Sequence, residues 1–382
     1  MAEVNRRRIG GDSAGWGWAD LPTDLIGKII EKLSWVDRIR LPAVCKSWTA
    51  LRGLALDAPD LPWMLKFRTE GTLFEMFDPC EKKKYVSDKW IEGNDKGIFA
   101  DATIRCSRLG WLLLRSRTRD HSDPRSYIVS TFLFSPFTGE VIKLPKLEQD
   151  YYFNNVATFS MNSTSPECIV FIFWRTCYTA GFSTYRLGDK AWKTSKLDDA
   201  RYQSYNLCLI DATYVAGSFY CLFADGDVGV LDTALQQWNL LEQCGRKLSD
   251  ASRYRPPKFL TSDTDLRLFK YGNPLGGHIW KYDFSEKYWL HEQSYSNQEI
   301  FICSGLAVQD AGGEASELVN KRFEAFDGES IKPAKGGMFA EFYEWLPKDN
   351  MSEEVQKIWF DQRLVWRKQD LLKPSEVAYP FI

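Results

Sequence analysis

The pairs Phe134/Val141, Tyr185/Trp192, Leu231/Trp238 and Tyr282/Trp289 each bracket a polar turn, and each stands seven positions apart. Phe77 to Tyr85 is a looser copy, one residue longer. The second members, at 85, 141, 192, 238 and 289, follow one another at intervals of 56, 51, 46 and 51 residues. A period near 50 constrains the fold strongly, because such a unit must stack on its own copies to bury its apolar face. The stretch SFYCLFADGDVGVLDTALQQWNLL writes the unit most plainly. Residues 219–223 read as one strand, 224–227 as a turn and 228–231 as a second strand, and Trp238 opens a third. The pattern predicts antiparallel hairpins arranged as propeller blades, the late Trp filling the gap between neighbours. A β-sandwich or an irregular stack of hairpins is the alternative.

Ahead of residue 60 the period is helical. With Thr23 as N-cap and Asp24 adding negative charge to the first turn, steps of about 100° place Leu25, Ile26, Ile29, Ile30 and Leu33 in one arc of about 140°. Ser34 to Asp37 break the pattern. Leu41, Val44, Cys45, Trp48 and Leu51 then recur at three and four, as a second helix requires. Pro42 suits the first helical position better than the interior, and Gly53 is a plausible stop. Two amphipathic helices that only complete a core would satisfy this periodicity. The order of residue types narrows it: Leu21-Pro22, an Ile/Leu helix, a break, then Val44-Cys45 and Trp48 resemble the F-box over about 35 residues. The resemblance implies docking on the Skp adaptor of SCF-type (Skp–cullin–F-box) ubiquitin ligases through Leu21, Pro22, Leu25, Ile29, Ile30, Leu33, Leu41, Val44, Cys45 and Trp48. It also implies that the rest of the chain holds a substrate. Pro42 departs mildly from the F-box pattern, where a polar or basic residue is common.

The two regions together resemble a large plant family that joins an F-box to a kelch-like β-domain known only as a domain of unknown function. GWLLL (110–114), FLFSPFTGEVIKLP (132–145) and FYCLFADGDVGVLD (219–232) carry that likeness. Kelch blades carry a Gly-Gly doublet ahead of a spaced Tyr and Trp, and Gly276-Gly277 is the single such doublet between residues 60 and 306, so the array is kelch-like at best. The expected fold is α+β and multidomain: a tail over 1–17, a helical F-box over 18–56, a mainly antiparallel propeller over 60–306, and an atypical segment over 307–382. Within that last segment, 309–337 read as a polar linker. Asn350 and Glu353 then form a capping pair ahead of an amphipathic helix carrying Val355, Ile358, Trp359, Val365 and Trp366 through Leu372. That reading leaves a poorly packed tail where the last blade strands belong.

Chemistry is sparse. Forty-nine basic and 51 acidic residues give a net charge of −2, which argues against nucleic-acid binding by overall charge. The nine cysteines are odd in number and none forms C-x-x-C, which suits a reducing compartment and supports neither zinc nor a disulfide framework. The longest apolar run, 168–174, is far too short to span a bilayer. His121, His278 and His291 stand in unrelated contexts and read as surface or hairpin residues. Asp225-Gly226-Asp227 reads as a tight turn rather than a metal loop. No nucleophile elbow, phosphate loop or dinucleotide fingerprint is present. The expectation is an intracellular protein of cytoplasm or nucleus, without cofactor, metal or catalytic residue. Its partners are the Skp adaptor, the cullin scaffold and an unknown protein substrate, with neither nucleic acid nor membrane among them. Residues 115–125, charged and between strands, are a candidate for holding that substrate, although a solvated loop explains them as well. A non-ubiquitin interaction scaffold with an F-box-like helical cap is the alternative. An enzyme would need a cluster of ionisable groups around the propeller's centre.

Overall fold

A computed structural model describes residues 21–30, 32–33, 37–38, 41 and 48, and between 63 and 360 the strands below with the turns named alongside them. The chain divides into two compact units, Met1–Ala58 and Pro59–Ile382.

In the smaller unit, helix α1 spans Thr23–Ile30. The Pro22 carbonyl accepts from the amides of Leu25 at 3.0 Å and Ile26 at 3.1 Å, so Pro22, one residue before the expected Thr23, is the cap position. The other end is capped by a distant side chain. Arg38 Nε donates to the Ile30 carbonyl at 3.0 Å and the Leu33 carbonyl at 3.1 Å, satisfying acceptors that a helix leaves open at its C-terminus. Asp37 and Arg38 are helical. Val44, Cys45 and most of the second helix lie outside the described residues.

In the larger unit, the described strands form six four-stranded sheets. The first holds β1 (Trp63–Arg68), β2 (Phe74–Asp78) and β3 (Lys83–Ser87). The second runs β4 (Thr103–Arg108), β5 (Trp111–Arg119), β6 (Tyr127–Phe134), β7 (Val141–Lys143), and the third β8 (Asn154–Phe159), β9 (Ile169–Arg175), β10 (Ala180–Arg186), β11 (Lys193–Leu197). The fourth is β12 (Leu209–Val215), β13 (Ser218–Phe223), β14 (Val228–Asp232), β15 (Gln237–Leu240). The fifth is β16 (Lys258–Leu260), β17 (Arg267–Gly272), β18 (Gly276–Asp283), β19 (Tyr288–Glu292). These meander in sequence order. The sixth is shuffled, with β20 (Glu299–Ile302), β21 (Ala307–Asp310), β22 (Ile331–Lys335) and β23 (Glu341–Trp345) in the order β21-β20-β23-β22, where β20 and β23 run parallel. The last strand, β24 (Val355–Phe360), returns to the first sheet and pairs antiparallel with β1 from Trp63↔Phe360 to Arg68↔Val355. One edge strand of each sheet, taken as β24, β4, β8, β12, β16 and β21, neighbours the next in that order, and β21 borders β24.

The expected C-terminal helix is therefore corrected over Val355–Phe360, and β21, β22 and β23 occupy parts of the stretch expected as loose tail. Val355, Ile358, Trp359 and Phe360 are strand formers as much as they are helix-face residues. Over six positions their spacing does not separate the two periods. What decides is the row of backbone donors and acceptors on the open side of β1, with which β24 pairs over its whole length. Residues 361–372, the remainder of the expected helix, lie outside the described residues.

The seven-residue interval is a register. Phe134 faces Val141, Leu231 faces Trp238 and Tyr282 faces Trp289 across adjacent strands. In the looser copy Phe77 faces Lys84, also seven on, while Tyr85 faces Met76. Turn chemistry repeats with it. Asp232 Oδ1 accepts from the amides of Ala234 and Leu235, and Asp283 Oδ1 from those of Ser285 and Glu286. The residue five after the pair's first member is left-handed in three hairpins: Gly139 (φ 69°), Gln236 (φ 54°) and Lys287 (φ 57°).

Aromatic rings join consecutive sheets. Phe171 of β9 stacks on Phe219 of β13 at 4.8 Å and 13°. Trp238 lies against Phe173 at 5.2 Å and Phe182 at 5.6 Å, as the blade-filling expectation requires. Trp192 reaches back to the Pro145 carbonyl at 2.7 Å. Trp238 can lie so low only because Gly229 is beneath it. A Cβ at 229 would stand 2.1 Å from Trp238 Cζ2.

Gly229→Ala is expected to cost about 1–3 kcal/mol of stability, read as a lower urea midpoint at unchanged slope. Deleting residues 351–382 removes β24, whose pairing with β1 runs over six residue pairs, each hydrogen bond worth a net of about 0.5–1.5 kcal/mol. The deletion is expected to lower the melting temperature and raise aggregation. Identical melting with and without these residues would show that the edge of β1 does not depend on β24.

Candidate functional site

The described members of the expected docking set divide between a small core and a side that faces solvent. Ile26, Ile30, Leu41 and Trp48, exposed by 5% or less, are a small core, with Leu21 and Leu33 packed on it. Pro22 is exposed, Ile29 half-buried, and Leu25 is 47% exposed. Helix geometry explains the division. Leu25 and Ile29 are four apart and share one line along α1, while Ile26 and Ile30 share the next. Seen by sequence, the apolar arc of α1 is one stripe. In the structure its inner half is covered and its outer half meets solvent. Arg38 had a readable signal, a basic residue shortly after a helix end, but its two carbonyl partners needed the fold to bring them within reach.

The larger unit does place ionisable groups on neighbouring edge strands, the feature that an enzyme would require. Two of them, Asp211 and Arg108, are engaged in holding strands. Asp211 accepts from the amide of Ala212 through Oδ1 and from that of Phe259, on β16, through Oδ2, both at 2.9 Å. Burial pushes its carboxyl above the usual range, and Lys258 opposes that shift. The Cys106 Sγ lies 3.4 Å from Thr158 Oγ1, and burial raises its thiol, the opposite of what an activated nucleophile needs. Arg108, 4% exposed, donates to the Met161 carbonyl and, at 3.0 Å, to that of Tyr214. Its guanidinium lies 5.8 Å from the centre of the Tyr214 ring. One buried cation thus ties the second, third and fourth sheets.

Asp225–Asp227 form the tight turn read from sequence: Asp225 Oδ1 accepts from the Asp227 amide at 3.0 Å, and Gly226 is left-handed at φ 86°. Among the described residues no group of three or more His, Cys, Asp or Glu is arranged to hold a metal ion, and no helix is long and apolar enough to cross a membrane. Of the charged segment 115–125, residues 115–119 belong to β5 and the rest lie outside the described residues. His278 and His291, apart in sequence, are neighbours in space.

Residues 18–51 match the F-box domain family, and residues 80–312 match the family described as KIB1-4 beta-propeller. An F-box/kelch-repeat protein of Arabidopsis thaliana is 27% identical over 75% of this chain and 76% of its own. Two F-box proteins of the same plant are 27% and 30% identical over 76% and 60% of this chain. The chain spans 58% and 54% of the length of those two. Among solved structures, a mutant of the Aleuria aurantia lectin aligns at 12% identity and a TM-score of 0.33, over 63% of this chain and 82% of that one, a likeness too distant to carry an argument. The matched segments, the small helical core and the six four-stranded sheets together place the chain in the KIB1-4 β-propeller family, as a plant F-box protein whose helical unit precedes a β-propeller-type domain.

Proposed function

We propose that this protein is the substrate-recognition subunit of an SCF-type E3 ubiquitin ligase. The F-box binds the Skp adaptor, the adaptor joins the cullin scaffold, and the β-domain holds a target protein. One observation carries the reading: α1 keeps apolar side chains on the side away from its own core, with Leu25 47% exposed beside exposed Pro22. An exposed leucine is common by itself, but here it continues a helix face already shaped by Ile26, Ile30, Leu41 and Trp48. An amphipathic helix offered this way suits recognition in a partner's groove. Within the expected docking set, Pro22, Leu25 and Ile29 make the contact, and Ile30, Leu41 and Trp48 set the shape that presents them.

The β-domain is read as one closed six-bladed propeller. The pairing of β24 with β1 and the unbroken succession of neighbouring edge strands support that reading. No reacting group is assigned to this chain. Ubiquitin transfer would be accelerated by proximity within the complex, which makes the protein a non-catalytic adaptor. Work in the cytoplasm or nucleus belongs to the same proposal, and the free thiols of Cys106, Cys168 and Cys221 suit it.

The test is capture by purified Skp adaptor. Leu25→Glu is expected to weaken retention at least about tenfold, or about 1.4 kcal/mol, with melting unchanged because the residue is exposed. Leu235→Glu, at a 66% exposed site on the β-domain, is expected to bind as wild type. Wild-type protein that captures no adaptor would overturn the ligase reading in favour of a scaffold. Equal capture by Leu25→Glu would remove α1's outer face from the interface.

A further inference from the structure

Two of the chain's three histidines meet. Trp280 of β18 stands opposite His291 of β19, and alternation along a strand puts His278 on the same face as Trp280. His278 is therefore the diagonal neighbour of His291. The Nδ1 of His278 and the Nε2 of His291 lie 3.0 Å apart. Both residues are exposed, and the Trp280 ring lies 5.0 Å from that of His291, walling one side. A hydrogen bond between two solvent-exposed imidazoles adds little to stability, since water competes for each nitrogen.

We propose that His278 Nδ1 and His291 Nε2 form a bidentate site for a divalent transition metal of tetragonal or octahedral preference, of the nickel or copper type, with water completing its coordination. The nitrogen separation fits that class. With metal–nitrogen bonds of about 2.05 Å, nitrogens 3.0 Å apart subtend about 94° at the metal. That is the angle between adjacent ligands of a square-planar or octahedral ion. A tetrahedral centre would need its nitrogens about 3.35 Å apart. The site spans two strands, and β19 is the edge strand of its sheet. A bound ion would pin that edge to β18. The site uses no residue of α1.

Calorimetric titration of the untagged full chain with Ni2+ tests the assignment. One ion per chain is expected, with His278→Gln and His291→Gln each weakening binding at least about tenfold and each abolishing the rise in melting temperature that Ni2+ gives the wild type. His121→Gln is expected to bind as wild type, and Zn2+ to bind more weakly than Ni2+. Both substituted histidines are exposed, so circular dichroism of the variants should match wild type. Absent binding, or binding that survives in both His278→Gln and His291→Gln, would overturn the site. Tighter binding of Zn2+ than of Ni2+ would overturn the geometric class.

Discussion

The edge of β1 has one partner in β2 and needs another. Its outer row of amides and carbonyls is met by a segment almost three hundred residues away, through six consecutive residue pairs with β24. An unsatisfied strand edge invites pairing with another chain, and this one contact covers the edge that β1 would otherwise present. The chain must lay down β20 to β23, one pair of them parallel, and still bring residues 355–360 back to β1.

Between these ends the sheets are joined by two kinds of glue. The first is aromatic: rings from one sheet stack on rings of the next, and Trp238 descends onto Gly229 because no side chain stands there. Offset ring pairs add specific geometry to plain area burial. The second is polar and sits at the edge strands. Arg108 and Asp211 each reach from one sheet to the backbone of another. Buried ionisable groups spent on such bridges are satisfied by backbone partners, which is why groups that look like catalytic candidates by position serve here as ties.

Much of this was legible in the residue order, and what was not has a physical cause. The seven-residue interval marked the hairpins because opposite positions in an antiparallel pair need complementary bulk. Even the misaligned copy at Phe77 obeyed it once Lys84 replaced Tyr85 as the partner. The helix expected through 355–372 failed over 355–360 because four apolar residues within six positions fit either period, and the segment pairs with the open edge of β1 instead. The apolar residues of α1 read as one stripe, but a stripe does not say which half its neighbours cover. That waited on Leu41 and Trp48 taking their places over Ile26 and Ile30.

The histidines show the same boundary most sharply. Taken singly, His278 and His291 resemble any hairpin residue, and sequence distance kept them apart. Register brought one diagonal to the other at 3.0 Å. Residue order alone determined the repeat, the two-part organisation and the F-box, because these rest on local periods and on residue types at short spacing. Tertiary structure decided which strand finishes the first sheet, which face of α1 stays in solvent and which side chains converge. Each of those depends on long-range pairing, where a backbone edge or a packed ring selects among segments that local preference leaves equal.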